Sequence, residues 1–363
     1  LKEELREGWI RLVPGDVEYL RKTYTHCAVG KLGLVRSAGR SDRLVVDSSV
    51  SGVTDNTQLP NRSSNPTLND LRSCLPLSDS AAPISALVLD VSKAHRRILI
   101  RPADQGLLCF HHRGQLYQCL TLNFGARASG FYWSRVSGLL VRLLHRLVWI
   151  DHSMMIYVDD LLSLFDQLTA PLWASLVVIL LLILRVPMSW HKAALSPRVV
   201  WIGWSFDFSL FTVAMEPEKR QRLVDLLRYL LSRKKCQLKD LERATGKLLW
   251  LSSLHRVLRP TLAPLYMDQQ QPVPTMASLT TQQYEALRSS LSGSVLVPAG
   301  FPHASVRPGS TILRVAQTHI ASFSDLPPHG GAKRVWIQTS CPTDPERLVS
   351  NLSRTCIEMW LDL

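Results

Sequence analysis

The sequence reads as an α+β fold, and three observations agree with that reading. Short apolar runs of strand length occur at Ile84–Asp90, Met154–Val158 and Leu161–Phe165. Longer stretches place apolar residues at i, i+3, i+4 and i+7, as a helix packed on one side requires. Residues 126–148 do this with Val136, Leu139, Leu140 and Leu143, Phe131 being read on the same side, and the stretch after Pro217 does it with Leu223, Leu226, Leu227, Leu230 and Leu231. Finally, strands arrive as hairpins around polar tips, so their pairing is antiparallel.

Taken in order, residues 1–30 carry helix-like spacing with mixed charges. From Lys31 to Asp47 the pattern changes to a hairpin. Leu32, Leu34 and Val35 form one arm, Ser37-Ala38-Gly39-Arg40-Ser41-Asp42 the basic tip, and Arg43-Leu44-Val45-Val46-Asp47 the other arm. Residues 48–80 are rich in Ser, Asn, Asp, Thr and Pro and read mostly as loop. A strand ends on Asp90. Another strand pair is expected at Arg97–Arg101 and Leu107–His111, with Leu116–Leu122 after it. Asp159-Asp160 forms the tip of the hairpin between the Met154–Val158 and Leu161–Phe165 runs.

Ala170–Leu184 is uniformly apolar over about 15 residues, short of the roughly 20 that cross a bilayer, so a buried helix and no membrane partner are expected. A strand pair follows between Val199 and Val213. Pro217 opens the next helix, where proline is tolerated. Leu238, Leu241, Leu248 and Leu249 suggest a further helix. Arg233, Lys234, Lys235, Lys239, Arg243 and Lys247 crowd these two helices, as either a solvated face or one that grips nucleic acid. Residues 269–280 are a Gln/Pro/Thr-rich linker.

The chain has 363 residues, 46% hydrophobic and 20% charged, which suits two or three domains with real cores and excludes a disordered charged tail. Its net charge of +13 points to a polyanionic partner, most commonly nucleic acid. Seven scattered cysteines without a CxxC pair indicate no zinc site and fit a reduced compartment, cytoplasmic or nuclear. The chain begins Leu1-Lys2-Glu3-Glu4, shows no targeting region, and reads as a piece of something longer.

The chemistry concentrates on acids. Asp90 ends one strand, and Asp159 and Asp160 cap a hairpin. Adjacent carboxylates among apolar residues repel and resist burial, and a bound cation relieves both costs. Nucleotidyl transfer needs two divalent ions about 4 Å apart, and magnesium favours carboxylate and phosphate oxygens. The competing reading of Asp159-Asp160 alone is an ordinary exposed turn.

Tyr157-Val158-Asp159-Asp160, with Met154-Met155-Ile156 before it and Leu161-Leu162 after, resembles the catalytic hairpin of reverse transcriptases. Other segments follow in that family's order. Leu87-Val88-Leu89-Asp90-Val91-Ser92-Lys93-Ala94-His95 resembles the first catalytic strand. Leu122-Asn123-Phe124-Gly125-Ala126-Arg127-Ala128-Ser129 resembles the segment that positions template and nucleotide. Trp190-His191-Lys192 is similar to a later lysine motif, and Val200-Trp201-Ile202-Gly203-Trp204 to the primer-grip hairpin. The resemblance covers about residues 28–268 and is that of retrotransposons of the long-terminal-repeat or tyrosine-recombinase type.

The resemblance implies a right-hand polymerase with an antiparallel-sheet palm, mixed fingers and a helical thumb. It divides the chain into 1–80 (N-terminal segment and fingers), 81–214 (palm with a fingers insertion), 215–268 (thumb), 269–280 (linker) and 281–363 (no assigned role). It implies RNA-directed DNA synthesis on an RNA or DNA template with primer, from deoxynucleoside triphosphates, with two Mg²⁺ or Mn²⁺ ions. Asp90, Asp159, Asp160 and the carbonyl of Val91 are the implied metal ligands. Arg36 and Arg43 are implied to neutralise the triphosphate, as the arginine fork suits phosphate. Phe124 and Gly125 are implied to pack on the nucleotide. Lys192 is implied either as general acid toward pyrophosphate or as a simple positive charge. Arg127 is expected at template or in solvent, and Tyr157 at the primer end or in the core.

Two residues depart from the family. His95 stands where an aromatic or small residue usually lies under the sugar, and Asn123 stands where proline is frequent. Residues 281–363 hold few acids, so no ribonuclease H activity is expected. The alternative to an active polymerase is a decayed retroelement fragment that binds nucleic acid without polymerising. A membrane-associated protein built around Ala170–Leu184 explains none of the ordered motifs. The sequence does not set the oligomeric state.

Overall fold

In the computed structural model the described residues are 1–36, 42–75, 83–233, 235–256, 258–266, 276–291 and 299–300. The chain opens with α1 (Lys2–Arg6), β1 (Ile10–Leu12), α2 (Val17–Thr23), β2 (Val29–Val35), β3 (Arg43–Asp47), α3 (Val53–Asn56) and α4 (Leu68–Cys74). It continues through β4 (Ile84–Asp90), β5 (Cys109–His112), β6 (Gln115–Cys119), α5 (Arg127–Leu147), β7 (Ser153–Tyr157), β8 (Asp160–Asp166), α6 (Ala170–Ile183) and β9 (Ala194–Ser196). Then come β10 (Arg198–Trp201), β11 (Trp204–Asp207), β12 (Thr212–Met215), α7 (Pro217–Leu231) and α8 (Leu238–Leu251). Two units emerge: residues 1–64 with 93–140, and residues 65–92 with the described residues from 141 onward.

The first unit is built on a five-stranded sheet in the order β1-β6-β5-β2-β3. Its pairs are antiparallel except β2 with β5, which run parallel. Ile10, Val46, Phe110, Tyr117, Cys119 and Leu122 belong to its core, and the Phe110 and Tyr117 rings stack. Beneath α2 a smaller cluster joins Val13, Leu20, Cys109 and Leu116. The Asp16 carboxylate caps α2 by accepting from the Glu18 and Tyr19 amides. Buried Arg96 is matched by Glu4 at 2.5 Å.

Three local expectations change here. The N-terminal stretch is interrupted by β1, because Gly8 at φ +70° closes α1, its amide donating to the Leu5 carbonyl and that of Trp9 to the Glu4 carbonyl. Residues 97–101 form no strand. A 3-10 turn spans Ala94–Arg97, Leu99 makes a lone bridge to Thr121, and Pro102, without an amide donor, opens a second 3-10 turn to Leu107. The polar stretch 48–80 contains α3 and α4, the latter started by a capping box between Thr67 and Asp70. The tip residues 37–41 and residues 76–82 lie outside the described residues.

The second unit holds an antiparallel sheet in the order β7-β8-β4-β9. Every residue of β4 is buried, which its run Ile-Ser-Ala-Leu-Val-Leu-Asp fits except at Ser85 and Asp90. A second sheet sets β10, β11 and β12 in meander, with Ala299–Gly300 beside β12. The expected strand pair between Val199 and Val213 is thus three strands. Ile202 and Gly203, both at positive φ, make the two-residue turn that matches strand twist. A large core runs from Leu71 and Val88 through Trp201 and Phe206 to Leu227, Leu248 and Leu287.

Helix α7 follows the predicted leucine periodicity, burying Leu223, Leu227 and Leu230, and α8 buries Leu241 and Leu248 as expected, while Leu249 is exposed and Leu251, one turn beyond Leu248, is buried instead. Part of the expected linker, Met276–Ser278, is a strand paired with Lys235–Gln237; residues 267–275 lie outside the described residues. Helix α6 departs from the expected buried helix. It buries Ala170, Ala174, Val177 and Leu181, while the opposite stripe stays in solvent. Among the described residues no helix is long and apolar enough to cross a membrane.

Candidate active site

Register, set by the hydrophobic strands, brings the acids together. Strands β4 and β8 pair antiparallel so that Asp90 stands directly opposite Asp160. Strands β7 and β8 are joined by a two-residue turn, Val158-Asp159, closed by the Tyr157–Asp160 pair. The Val91 amide donates to the Asp159 carbonyl at 2.8 Å, tying the turn to the end of β4. The Trp201 indole N–H donates to the Asp160 carbonyl at 3.1 Å, and the Ser189 amide to the Asp90 carbonyl at 2.8 Å. The backbone under all three acids is therefore held from several elements of one unit.

Strain and charge concentrate at the same place. Val158 has φ +56°, an outlier for a β-branched residue, and residues of that kind cost roughly 1–3 kcal/mol. Facing side chains on paired strands lie about 5 Å apart, where like charges repel. Burial first, then Asp159 and Asp90, push the Asp160 carboxyl up to about 6, against an opposing pull from Lys192. The Lys192 amine lies 2.5 Å from Asp90 Oδ2, with Asp90 itself buried. That ion pair was not foreseen. Lys192 enters from the 3-10 turn Trp190–Lys192, more than a hundred positions away in sequence.

Among the described residues no group of three or more His, Cys, Asp or Glu is placed to hold a metal ion. Magnesium does not need such a cage, since it takes one or two carboxylates and completes its shell with water and phosphate. Asp90 and Asp160 are a donor set of that kind. A cation beside Asp160 would relieve the burial and repulsion that raise its carboxyl. These residues fit a divalent ion that arrives with phosphate.

Most of the other predicted residues belong to the first unit, Val91 and Tyr157 to the second. The Arg43 guanidinium lies 5.6 Å over the Phe124 ring, and the His95 ring meets Phe124 edge-on at 5.1 Å. Gly125 has φ +104°, and a Cβ there would stand 2.3 Å from the Val46 carbonyl oxygen, so glycine lets this loop lie on β3. The Val46 amide donates to the Phe124 carbonyl at 3.1 Å. Arg36 is exposed and 3.8 Å from Asp42. Arg127 donates to the Thr54 carbonyl at 3.4 Å, and Tyr157 is exposed. The Val91 side chain is buried. Asn123 is fully buried, and neither polar atom of its side chain has a partner among the described residues.

The sequence missed one further feature of the second unit. Trp204 and Trp250 stack with centroids 4.0 Å apart, and Trp250 lines a cleft of about 480 Å³ with Lys219, Arg222, Arg243 and Lys247. Of the six basic residues noted around these helices, Arg243 and Lys247 line this cleft, joined by two from α7. Burial, then Arg222, Arg243 and Lys219, lower the Lys247 pKa. No sequence motif marks this convergence.

No protein-family model matches the chain, and no curated protein does. Solved structures do. A foamy viral protease-reverse transcriptase in complex with double-stranded DNA aligns at TM-score 0.59 and 15% identity, covering 82% of this chain and 47% of that one. The foamy viral protease-reverse transcriptase with an RNA/DNA hybrid aligns at 0.59 and 14%, covering 82% and 36%. Another complex with double-stranded DNA gives 0.57 and 16%, covering 82% and 56%. The fold is reverse-transcriptase-like. The chain spans between about a third and just over half of those proteins' lengths.

Proposed function

We propose that this chain is the polymerase core of a retrotransposon reverse transcriptase, extending a primer with deoxynucleotides by nucleotidyl transfer at Asp90, Asp159 and Asp160. The observation that carries the reading is the register of Asp90 against Asp160, with Asp159 in the turn between β7 and β8. A fold-level likeness to proteins solved with DNA or an RNA/DNA hybrid, and the net charge of +13, support a nucleic-acid substrate. On this reading the second unit supplies palm and thumb, and the first supplies fingers.

Two bound Mg²⁺ or Mn²⁺ ions would supply Lewis acidity toward the attacking and leaving oxygens. The chain's own part is to hold the oxygens that receive them. Asp90 and Asp160 present carboxylates from rigid strands, Asp159 presents one from the strained turn, and the Val91 carbonyl adds a neutral oxygen. Lys192 keeps its ammonium beside Asp90, where it lowers the repulsion among three acids. From there it is available to pyrophosphate as proton donor or charge. Arg36 and Arg43 neutralise triphosphate, and His95, Phe124 and Gly125 pack on the nucleotide. The cleft of Lys219, Arg222, Arg243 and Lys247 tracks the phosphate backbone of the duplex.

The test is primer extension by residues 1–363 on poly(rA)/oligo(dT) with Mg²⁺ or Mn²⁺, beside Asp159→Asn. Extension by the parent and none by the variant is expected. Extension by both would refute the site. One observation favours a second reading, binding without polymerisation. Asn123, where the family often has proline, buries two unpartnered polar atoms, a defect costing about 1–3 kcal/mol for each. Under that reading neither protein extends a primer, while hybrid binding stays tight and falls with salt.

A further inference from the structure

Helix α6 carries a surface that polymerisation does not use. From Gln167 to Leu184 the chain holds no Asp, Glu, Lys or Arg. One side of the helix, Ala170, Ala174, Val177 and Leu181, packs inward. The opposite side repeats Leu172, Leu176, Ile179 and Ile183 at i, i+4, i+7 and i+11, a straight stripe along the helix. Leu172, Ile179 and Ile183 are exposed at 60%, 50% and 70%, with Leu168 at 90% just before the helix and Leu182 at 54% on its flank. Together these side chains open roughly 500 Å² of aliphatic surface, near the top of the range for the largest patch on a monomer.

We propose that this stripe is a self-association face, on which two copies of the chain pair α6 against α6 about a two-fold axis. Charge narrows the occupant. A face without a cation offers nothing to nucleic acid, and one without any ionised group does not select an acidic or basic partner. A helix that lies in a lipid interface needs a charged side toward the headgroups. The far side of α6 is instead buried in its own protein, and no basic residue stands between Asp166 and Arg185.

Two copies each carrying +13 repel over most of their surfaces, and the α6 stripe is a place where they meet without placing charge on charge. Area agrees. A standard interface buries about 800 Å² per partner, and a homodimer face is about 65% apolar, so its apolar share is about 500 Å². Fourteen residues give α6 about 21 Å of length, enough for a crossed or antiparallel helix pair. An isologous pair closes on itself and leaves no stripe free for further copies.

The test is sedimentation equilibrium on the full chain with Ile179→Glu and Ile179→Lys. Ile179 sits mid-stripe, so a two-fold pairing sets it near its own copy. The parent should sediment as a dimer, and each variant as a monomer with a dimer dissociation constant raised at least about 100-fold, with helix content unchanged. An equimolar mixture of the two variants should recover the dimer, because opposite charges then meet across the axis. That rescue also separates lost pairing from misfolding. A parent that stays monomeric at about 100 µM, a dimer indifferent to Ile179→Glu, a variant mixture that stays monomeric, or association that grows past the dimer would each overturn the proposal. So would flotation of a monomeric parent with phosphatidylcholine vesicles that Ile179→Glu abolishes, which would make the stripe a lipid-binding face.

Discussion

Replacing Asp160 by Asn should make the protein more stable at neutral pH while removing its proposed activity. The Asp160 carboxyl is raised from 3.8 to about 6 by burial, Asp159 and Asp90. A group whose folded pKa lies above its unfolded value binds more protons in the folded state, so folding is favoured as pH falls through that window. Above pH 6 the folded protein carries the whole penalty. At 1.36 kcal/mol per unit the shift sets a ceiling of about 3 kcal/mol, and partial exposure and coupling to Asp90 reduce this to about 1–2 kcal/mol. Asn keeps the shape, cannot ionise, and can still donate to Asp90. Urea unfolding of parent and variant at pH 7 and pH 4 measures the difference. Asp160→Asn should be more stable by about 1–2 kcal/mol at pH 7, with the gap closing toward pH 4. A variant that is less stable at pH 7, or a gap that does not change with pH, would refute the electrostatic account.

Two further substitutions probe backbone rather than charge. Gly125→Ala should destabilise the protein by roughly 2–4 kcal/mol, because its Cβ would meet the Val46 carbonyl at 2.3 Å in a backbone with φ +104°; an unchanged denaturation midpoint would count against the close approach of this loop to β3. Val158→Gly should leave stability unchanged or raise it by up to about 1 kcal/mol, since glycine accepts the positive φ without strain; a loss of 2 kcal/mol or more in thermal unfolding would show that the valine side chain contributes more packing than the turn costs.

How much of this was legible in the sequence depended on how local the cause was. The hairpin around Asp159-Asp160 appeared with its tip one residue earlier, at Val158-Asp159, and the leucine stripes of α7 and α8 appeared except at Leu249, because strand and helix periods are local properties. Residues 97–101 misled, because an apolar run near a proline looks like a strand until its amides have to find partners. Helix α6 misled in another way. Uniform hydrophobicity says that a segment avoids water, not which side has something to pack against. The ion pair of Lys192 with Asp90 and the convergence of Lys219, Arg222, Arg243 and Lys247 join residues far apart in sequence or on different helices. No spacing rule reaches them.

The acids show how a fold tolerates a costly site. Asp90 terminates a strand whose other six residues are all buried, so its position is dictated by hydrophobic register. Moving it out of opposition to Asp160 would require slipping β4 against β8 by one residue, which would exchange the strand's two faces, and because both are buried every side chain would have to repack against the opposite layer. The packing of Ile84–Leu89 therefore holds two carboxylates together against their repulsion. Lys192 supplies partial neutralisation, and the Trp201 N–H fixes the carbonyl behind Asp160. Lys192 offsets only part of this repulsion, which the raised Asp160 carboxyl still registers and which a bound cation would balance. A divalent cation carried in with a triphosphate has the right sign and the right ligand preference to do so.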